Sequence, residues 1–242
     1  EKFAFPCYVS IPNKKGKHPF FICINFRDCV PDRYVPVEEI IDNGFAVITF
    51  CYKDITSDDE DFTNGLAGIL YKNRKREKSE AGKIAMWAWA AQRVMDYAQT
   101  LDFLDFGCSI VCGHSRLGKT ALLAGATDKR FQFVYSNDSG CGGAAITRGK
   151  SGERVQNICE SFPYWFCENY KKYSNNESNM PFDQHYLAAL IAPRYVYIAS
   201  AVEDKWADPD SEMLTCCAIS EIYKKFGKKG FIYEDRFPQV ND

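Results

Sequence analysis

The sequence predicts an α/β fold built on a mostly parallel central sheet. Short, continuous apolar runs alternate along the chain with segments of helical spacing, as expected for buried parallel strands that helices cover on both faces. Polar residues directly follow three of the strand-like segments, at Ser115, at 137–139 and at 203–204. In sheets of this kind the chemistry lies beyond the carboxyl ends of the strands, so these residues mark one candidate site.

The apolar runs and the helical spacing give the individual elements. Strands are predicted at 20–26, 45–52, 109–112, 131–135 and 195–199. Helices are predicted at 37–42, 80–100, 117–127 and 209–226, with a polar loop over 53–79. Residues 1–242 contain no internal repeat or low-complexity linker, which predicts a single domain.

Composition excludes several classes of function. The net charge of −2 gives no electrostatic case for nucleic-acid binding, and no apolar run approaches the ~20 residues that a membrane span needs. The eleven cysteines fall mostly inside apolar runs without a Cys-x-x-Cys pair, and the three histidines are far apart, so we expect reduced cysteines and no metal site. No cofactor is predicted, and a monomer is expected.

The segment Gly113-His114-Ser115-Arg116-Leu117-Gly118 has the order strand, glycine, serine, glycine, helix. A nucleophilic serine needs this order, because its Oγ must be exposed on a strained turn with backbone donors nearby. The second glycine comes one position later than in Gly-x-Ser-x-Gly. The alternative interpretation is an ordinary turn in which Ser115 caps the next helix.

Five blocks in order resemble the glucuronoyl esterases, which hydrolyse 4-O-methyl-glucuronate esters that link xylan to lignin. They are Gly113–Ala121, Ser139–Ala145, Phe162–Phe166, Pro181–His185 and Trp206–Pro209. The resemblance is closest to the bacterial branch and covers most of the chain from the first strand onward. It implies an α/β-hydrolase-type three-layer sandwich and a glucuronoxylan ester as substrate. It also implies a secreted or periplasmic location, whereas the many free cysteines and the absence of a signal-peptide pattern leave a cytoplasmic location open.

The resemblance assigns catalytic roles to two neighbouring residues: Ser115 is the nucleophile, and Arg116 stabilises the oxyanion. It assigns uronate binding to Lys119, Glu153 and Trp206, with Gln156 as a weaker candidate. Without the resemblance, Arg116 and Lys119 would be interpreted as solvent-facing charges and Glu153 as a surface carboxylate. Trp206 would be interpreted as a partly buried packing residue.

The catalytic acid remains open between Asp138 and Asp204, because each follows a predicted strand and either could orient a histidine. No histidine follows Asp204 in the sequence, although a triad of this fold places its base there. His114 is expected to pack with its side chain turned away from the site, and His185 is expected to hydrogen-bond in the core.

A truncated chain, a degenerate hydrolase that binds without cleaving, or another group acting as base would each explain the missing histidine. A truncated chain would lack the C-terminal part of the fold and would expose a bare sheet edge. The activities left open are glucuronoyl esterase, acetylxylan esterase and non-catalytic carbohydrate binding.

Overall fold

The computed structural model describes residues 2–32 and 34–232. A six-stranded sheet forms its centre. Its strands are β1 (Tyr8–Ser10), β2 (His18–Asn25), β3 (Ala46–Cys51), β4 (Leu104–His114), β5 (Phe133–Asn137) and β6 (Tyr195–Ala199). Their order across the sheet is β1-β3-β2-β4-β5-β6. All neighbouring strands are parallel except β1, which pairs antiparallel with β3. The predicted, mostly parallel sheet is confirmed.

Seven α-helices occur in the described residues. They are α1 (Val37–Asp42), α2 (Gly65–Leu70), α3 (Lys83–Ala98), α4 (Arg116–Thr127), α5 (Val155–Ser161), α6 (Gln184–Ala189) and α7 (Pro209–Lys225). The bounds predicted for α1 and β6 are those observed, and the ends of the other predicted elements differ by a few residues, most at β4. No described helix combines the length and the apolar character that a membrane span requires.

The alternation of side chains along β2 separates two apolar layers. Phe20, Ile22 and Ile24 join the main core with residues of α3 and α4. Cys23 lies on the opposite face in a smaller cluster with Val37 of α1. Helices therefore lie on both sides of the sheet, as a three-layer α/β fold requires.

The segment 53–79 is not only a polar loop, as the sequence predicted, because it contains α2. This helix has glycines at two of its six positions, and both are needed for close backbone contacts. A Cβ at Gly65 would lie 2.2 Å from the carbonyl oxygen of Ile55, and one at Gly68 would lie 2.2 Å from that of Thr63. Tertiary contacts thus stabilise a helix that its own composition disfavours.

Candidate active site

Ser115 lies on a sharp turn between the end of β4 and the start of α4. Its backbone has φ 56° and ψ −122°, a strained conformation for a residue with a side chain. The turn is anchored on both sides, since Ser115 N donates to Asn137 O over 2.8 Å and Lys119 N donates to Ser115 O over 3.1 Å. Strain of this kind at a strand-to-helix turn is the geometry of a nucleophile elbow.

The glycines on either side of Ser115 permit this turn. A Cβ at Gly113 would lie 2.2 Å from the carbonyl oxygen of Leu117, in the first turn of α4. A Cβ at Gly118 would lie 3.0 Å from Asn137 O and 3.0 Å from Ser139 Cβ. The second glycine therefore allows α4 to approach the end of β5, although it comes one position later than in the common motif.

The N-terminus of α4 supplies hydrogen-bond donors next to the serine. Because α4 begins at Arg116, the first N–H groups of the helix have no acceptor one turn earlier in the helix. The N–H of the residue after the nucleophile is one of the oxyanion donors in this fold. Ser115 thus combines a half-buried hydroxyl with a positive electrostatic environment.

Arg116 is only partly accessible, with 26% of its side chain exposed, and is not a solvent-facing charge. Its Nη1 donates to Oδ2 of Asp58. The guanidinium also lies over the rings of Trp165, at 4.8 Å, and Phe162, at 5.4 Å. Such stacking fixes the plane of the charged group beside the serine.

Lys119 and Glu153 are both buried, against the alternative interpretations of solvent-facing and surface charges. Lys119 Nζ donates to Ser139 O over 2.6 Å and lies 5.7 Å from the centre of the Trp165 ring. Burial lowers the pKa of Lys119, and the charge of Glu153 opposes that shift. Burial raises the pKa of Glu153, and Lys119 and Lys150 oppose the rise. The charges of these two groups therefore interact, and their role in uronate binding stays a prediction.

Trp206 is attached to the Glu153 segment through the backbone, since Glu153 N donates to Trp206 O over 2.8 Å. The residue is 57% exposed, so the interpretation as a partly buried packing residue is wrong. A Cβ at Gly152 would lie 2.4 Å from Trp206 O, which makes that glycine necessary for the close approach. An exposed indole next to a buried carboxylate can stack on the apolar face of a sugar.

Asp208 secures the same segment to α7. Its carboxylate accepts from Ser151 N over 2.9 Å and from Ser211 Oγ over 2.8 Å. Burial alone would raise the pKa of Asp208, but the hydrogen bonds from Ser151 and Ser211 and the charge of Lys150 hold it well below the usual range. Lys150 in turn donates to Ala207 O over 2.8 Å.

Gln156 is not joined to this group. It lies on α5, where Nε2 donates to Glu160 Oε1 over 2.8 Å and Oε1 accepts from Asn175 Nδ2 over 2.5 Å. Among the described residues its side chain makes no hydrogen bond to Lys119, Glu153 or Trp206. Its role in substrate binding stays a prediction.

The two candidate acids, Asp138 and Asp204, are both hydrogen-bonded to the backbone of Ala201. Ala201 N donates to Asp138 Oδ1 over 2.6 Å, and Asp204 N donates to Ala201 O over 3.1 Å. Asp138 Oδ2 also accepts from Asn137 Nδ2 over 2.9 Å, while Asp204 Oδ1 accepts from Ala207 N over 2.9 Å. Neither contact pattern distinguishes the acid of a triad, so both assignments stay open.

Glu212 of α7 connects the two loops that carry these acids. It is fully buried, and its Oε1 accepts from Gly140 N over 2.8 Å and from Ser139 Oγ over 3.2 Å, while Oε2 accepts from Ser200 Oγ. Burial raises the pKa of Glu212, and the nearby charge of Asp138 adds to the rise.

The imidazoles of the chain do not reach the serine hydroxyl by a hydrogen bond in the described structure. His114 Nδ1 lies 2.8 Å from Asn137 Oδ1 and 3.9 Å from Asp138 Oδ2, and the ring packs edge-on against Tyr34. The ring contacts agree with the packing role predicted for His114, but the side chain is not turned away from the site, because it lies beside the candidate acid Asp138. His185 was expected to hydrogen-bond in the core, but its Nδ1 is buried without a partner among the described residues, so that prediction is wrong.

The mostly parallel sheet, with a strained serine turn between a central strand and the helix that follows it, is the architecture of the α/β-hydrolase class. The family model described as "Glucuronyl esterase, fungi" matches residues 1–227. The chain belongs to the glucuronoyl esterase family, and the resemblance noted in the sequence is confirmed.

Individual relatives agree with this assignment. Carbohydrate esterase MZ0003, from an unknown prokaryotic organism, is 44% identical over 207 residues, which is 85% of this chain and 48% of the relative. A 4-O-methyl-glucuronoyl methylesterase of Podospora anserina is 34% identical over 208 residues, 81% of this chain and 40% of the relative. The solved glucuronoyl esterase of Solibacter usitatus superposes with a TM-score of 0.86 at 35% identity, covering 98% of this chain and 68% of that one. The chain thus spans about half the length of the curated relatives it matches.

Proposed function

We propose that this chain provides the nucleophile and the uronate-binding residues of a serine esterase that cleaves 4-O-methyl-glucuronoyl esters of xylan. The single observation that carries the proposal is the strained Ser115 turn one helical turn before the buried Lys119, whose charge interacts with that of the buried Glu153. A methylesterase named for this substrate is among the relatives. Cleavage of a uronate ester needs both a nucleophile and polar groups for the sugar hydroxyls, and this site offers candidates for both.

In the proposed reaction Ser115 Oγ attacks the carboxyl carbon of the ester and forms an acyl-enzyme, from which the alcohol leaves first and water then attacks. The N–H groups at the start of α4 and the guanidinium of Arg116 stabilise the negative oxygen that develops. Lys119 and Glu153 bind the hydroxyls of the sugar, and Trp206 contacts its face. The base that takes the Ser115 proton in this reaction is a histidine oriented by Asp138 or Asp204, and no described residue supplies it.

A non-catalytic uronate-binding protein is the second candidate. The observation in its favour is that no imidazole hydrogen-bonds Ser115 in the described residues. Without its base, a serine nucleophile retains only the catalysis that oxyanion donors and binding provide, which is orders of magnitude below a full triad. An acetylxylan esterase would not need to bind the hydroxyls of a uronate acyl group and leaves the buried Lys119 and Glu153 unexplained.

The test compares benzyl glucuronate with an acetylated xylan as substrates of this chain and, where its gene continues beyond Asp242, of the longer protein. We expect hydrolysis of the glucuronate and its loss in Ser115→Ala. Lys119→Met is expected to raise KM for the glucuronate more than for the acetate. Saturable uronate binding by calorimetry without hydrolysis in either protein would replace the esterase with the binding protein.

A further inference from the structure

Asp58, which no sequence motif marks, makes the closest charged contact of Arg116. The loop after β3 carries it, and its side chain is 7% exposed. Three side chains donate to its carboxylate: Arg116 Nη1, Tyr52 Oη over 2.8 Å and Trp165 Nε1 over 2.7 Å. Burial and the Asp58 charge raise the pKa of Tyr52, so its hydroxyl remains a proton donor across the working range of an esterase.

The carboxylate is itself fixed by contacts from two distant parts of the chain. Tyr164 Oη donates to Asp58 O over 3.0 Å, which ties the loop to the segment that carries Trp165. The buried Lys83, at the start of α3, donates to Thr56 Oγ1 over 2.8 Å and to Asp61 O over 2.6 Å, on either side of Asp58 in the sequence. Asp58 therefore presents a rigid acceptor.

Arg116 is bounded by this acceptor on one edge and by the Trp165 and Phe162 rings on its face. Its Nε is buried and has no hydrogen-bond partner among the described residues. A guanidinium with one edge paired has donors left for a second partner, since it carries five N–H groups in a fixed fork. The site thus contains an oriented cation with unused donors next to the nucleophile.

We propose that Asp58 is a positioning residue for the reaction at Ser115, acting through Arg116. It fixes the guanidinium before substrate arrives, so that its free donors face the oxygen that becomes negative in the transition state. This inference rests on the proposed function. Preorganised donors accelerate a reaction because they need no reorientation as the charge develops. A buried ion pair contributes little net stability compared with apolar packing, so its value here lies in the geometry it fixes.

The kinetic test is a double-mutant cycle of Asp58→Asn and Arg116→Ala on benzyl glucuronate, with Asp59→Asn as the matched control. Asp59 is the exposed neighbour of Asp58, and its carboxylate accepts from Ser57 and Asp61 rather than from Arg116. We expect Asp58→Asn to lower kcat about 10-fold to 100-fold with little change in KM, since the loss of one oxyanion donor costs roughly 100-fold to 1000-fold. In the Arg116→Ala background the same substitution should cost less than about 2-fold. An equal loss in both backgrounds would show that Asp58 acts by another route and would overturn the proposal.

Tyr52→Phe removes one donor to Asp58 while leaving the carboxylate, and provides a milder variant if Asp58→Asn fails to fold. It is expected to reduce kcat in the same direction by a smaller factor, again only when Arg116 is present. A fall in activity that persists in the Arg116→Ala background would count against the proposal, as would an unchanged kcat.

A second measurement needs no catalysis and separates this inference from the proposed function. In arginine-selective 15N NMR, a fixed guanidinium gives resolved Nη signals because rotation about its terminal bonds is slow. We expect resolved Arg116 signals in the wild type and in Asp59→Asn, and averaged signals in Asp58→Asn. Averaging in the wild type, or resolved signals in Asp58→Asn, would refute the positioning role. Resolved signals in a protein that cleaves no ester would confirm the geometry and refute the esterase, and with it the catalytic purpose assigned to Asp58.

Discussion

Replacement of Gly113 by alanine is expected to disrupt the turn at Ser115. The added Cβ would lie 2.2 Å from Leu117 O and 2.5 Å from Leu117 C, where ordinary contacts begin at 3.4 Å. Both atoms are backbone of α4, so no side-chain rotation can relieve the overlap, and the first turn of the helix must move by about 1 Å. Overpacking of this kind costs about 1–3 kcal/mol.

For a domain of this size each kcal/mol lowers Tm by roughly 2–4 °C, so a cost of about 2 kcal/mol predicts a fall of about 4–8 °C. Thermal unfolding followed by circular dichroism measures it, and kcat/KM for benzyl glucuronate should fall by a larger factor than stability alone explains. Gly107→Ala in the same strand is the control, since its Cβ would meet only the exposed Asp105 side chain, at 3.2 Å, and no backbone atom. A Gly113→Ala protein with the Tm and kcat/KM of the wild type would refute the assignment of this turn.

Three further predictions concern buried charges. Because the pKa of Glu212 is raised in the folded protein, the native state holds this proton to higher pH than the unfolded state does. The free energy of unfolding should therefore fall as the pH rises above 4.5, and it should fall less in Glu212→Gln. Urea titrations from pH 4 to 8 measure the difference. The lowered pKa of Asp208 gives the opposite pH dependence: the stabilisation is complete above pH 3.8 and is lost as the pH falls towards the folded pKa. In parallel acid titrations, the unfolding free energies of the wild type and Asp208→Asn should therefore converge below that range. Burial lowers the pKa of Lys83 to about 8. The free energy of unfolding should therefore rise between pH 8 and 10.5 in the wild type but not in Lys83→Met. Equal slopes of this free energy against pH in the two proteins would contradict the prediction.

Local sequence patterns were sufficient to predict those helices and strands whose position depends on the spacing of their own apolar residues. The apolar runs of β2, β3 and β6 and the helical spacing of α1 and α4 gave elements close to those observed. The strained turn at Ser115 could also be predicted, because glycine, serine and glycine at a strand-to-helix junction describe a backbone constraint that is local in sequence.

The start of α3 could not be predicted, because its first turn is completed by a distant segment. Lys83 N donates to Tyr164 O over 2.9 Å and Ile84 N donates to Trp165 O over 3.2 Å. A Cβ at Gly82 would lie 2.4 Å from Trp165 O, so the helix begins after that glycine. The periodic spacing that suggested a start near Glu80 contains no sign of this contact.

The residues that organise the site were missed for the same reason. Asp58 belongs to the run Ser57-Asp58-Asp59-Glu60-Asp61, in which four consecutive carboxylates look alike in sequence. Only the partners of Asp58, on β4–α4 and in the 162–166 segment, distinguish it from its neighbours. Glu212 and Asp208 were likewise indistinguishable from ordinary acidic residues at the start of a helix.

The Ser115 turn and the segments of Glu153 and Trp206 lie in different parts of the fold. Ser115 directly follows β4, which has a parallel neighbour on each side, whereas Glu153 and Trp206 lie in loop segments joined to each other and to Asp208. In the proposed esterase, the chemical step therefore depends on a strand inside the sheet, and the choice of acyl group depends on a pair of loops with their own anchor. Such an arrangement allows substrate preference to diverge by exchange of that loop pair while the reaction itself is inherited unchanged.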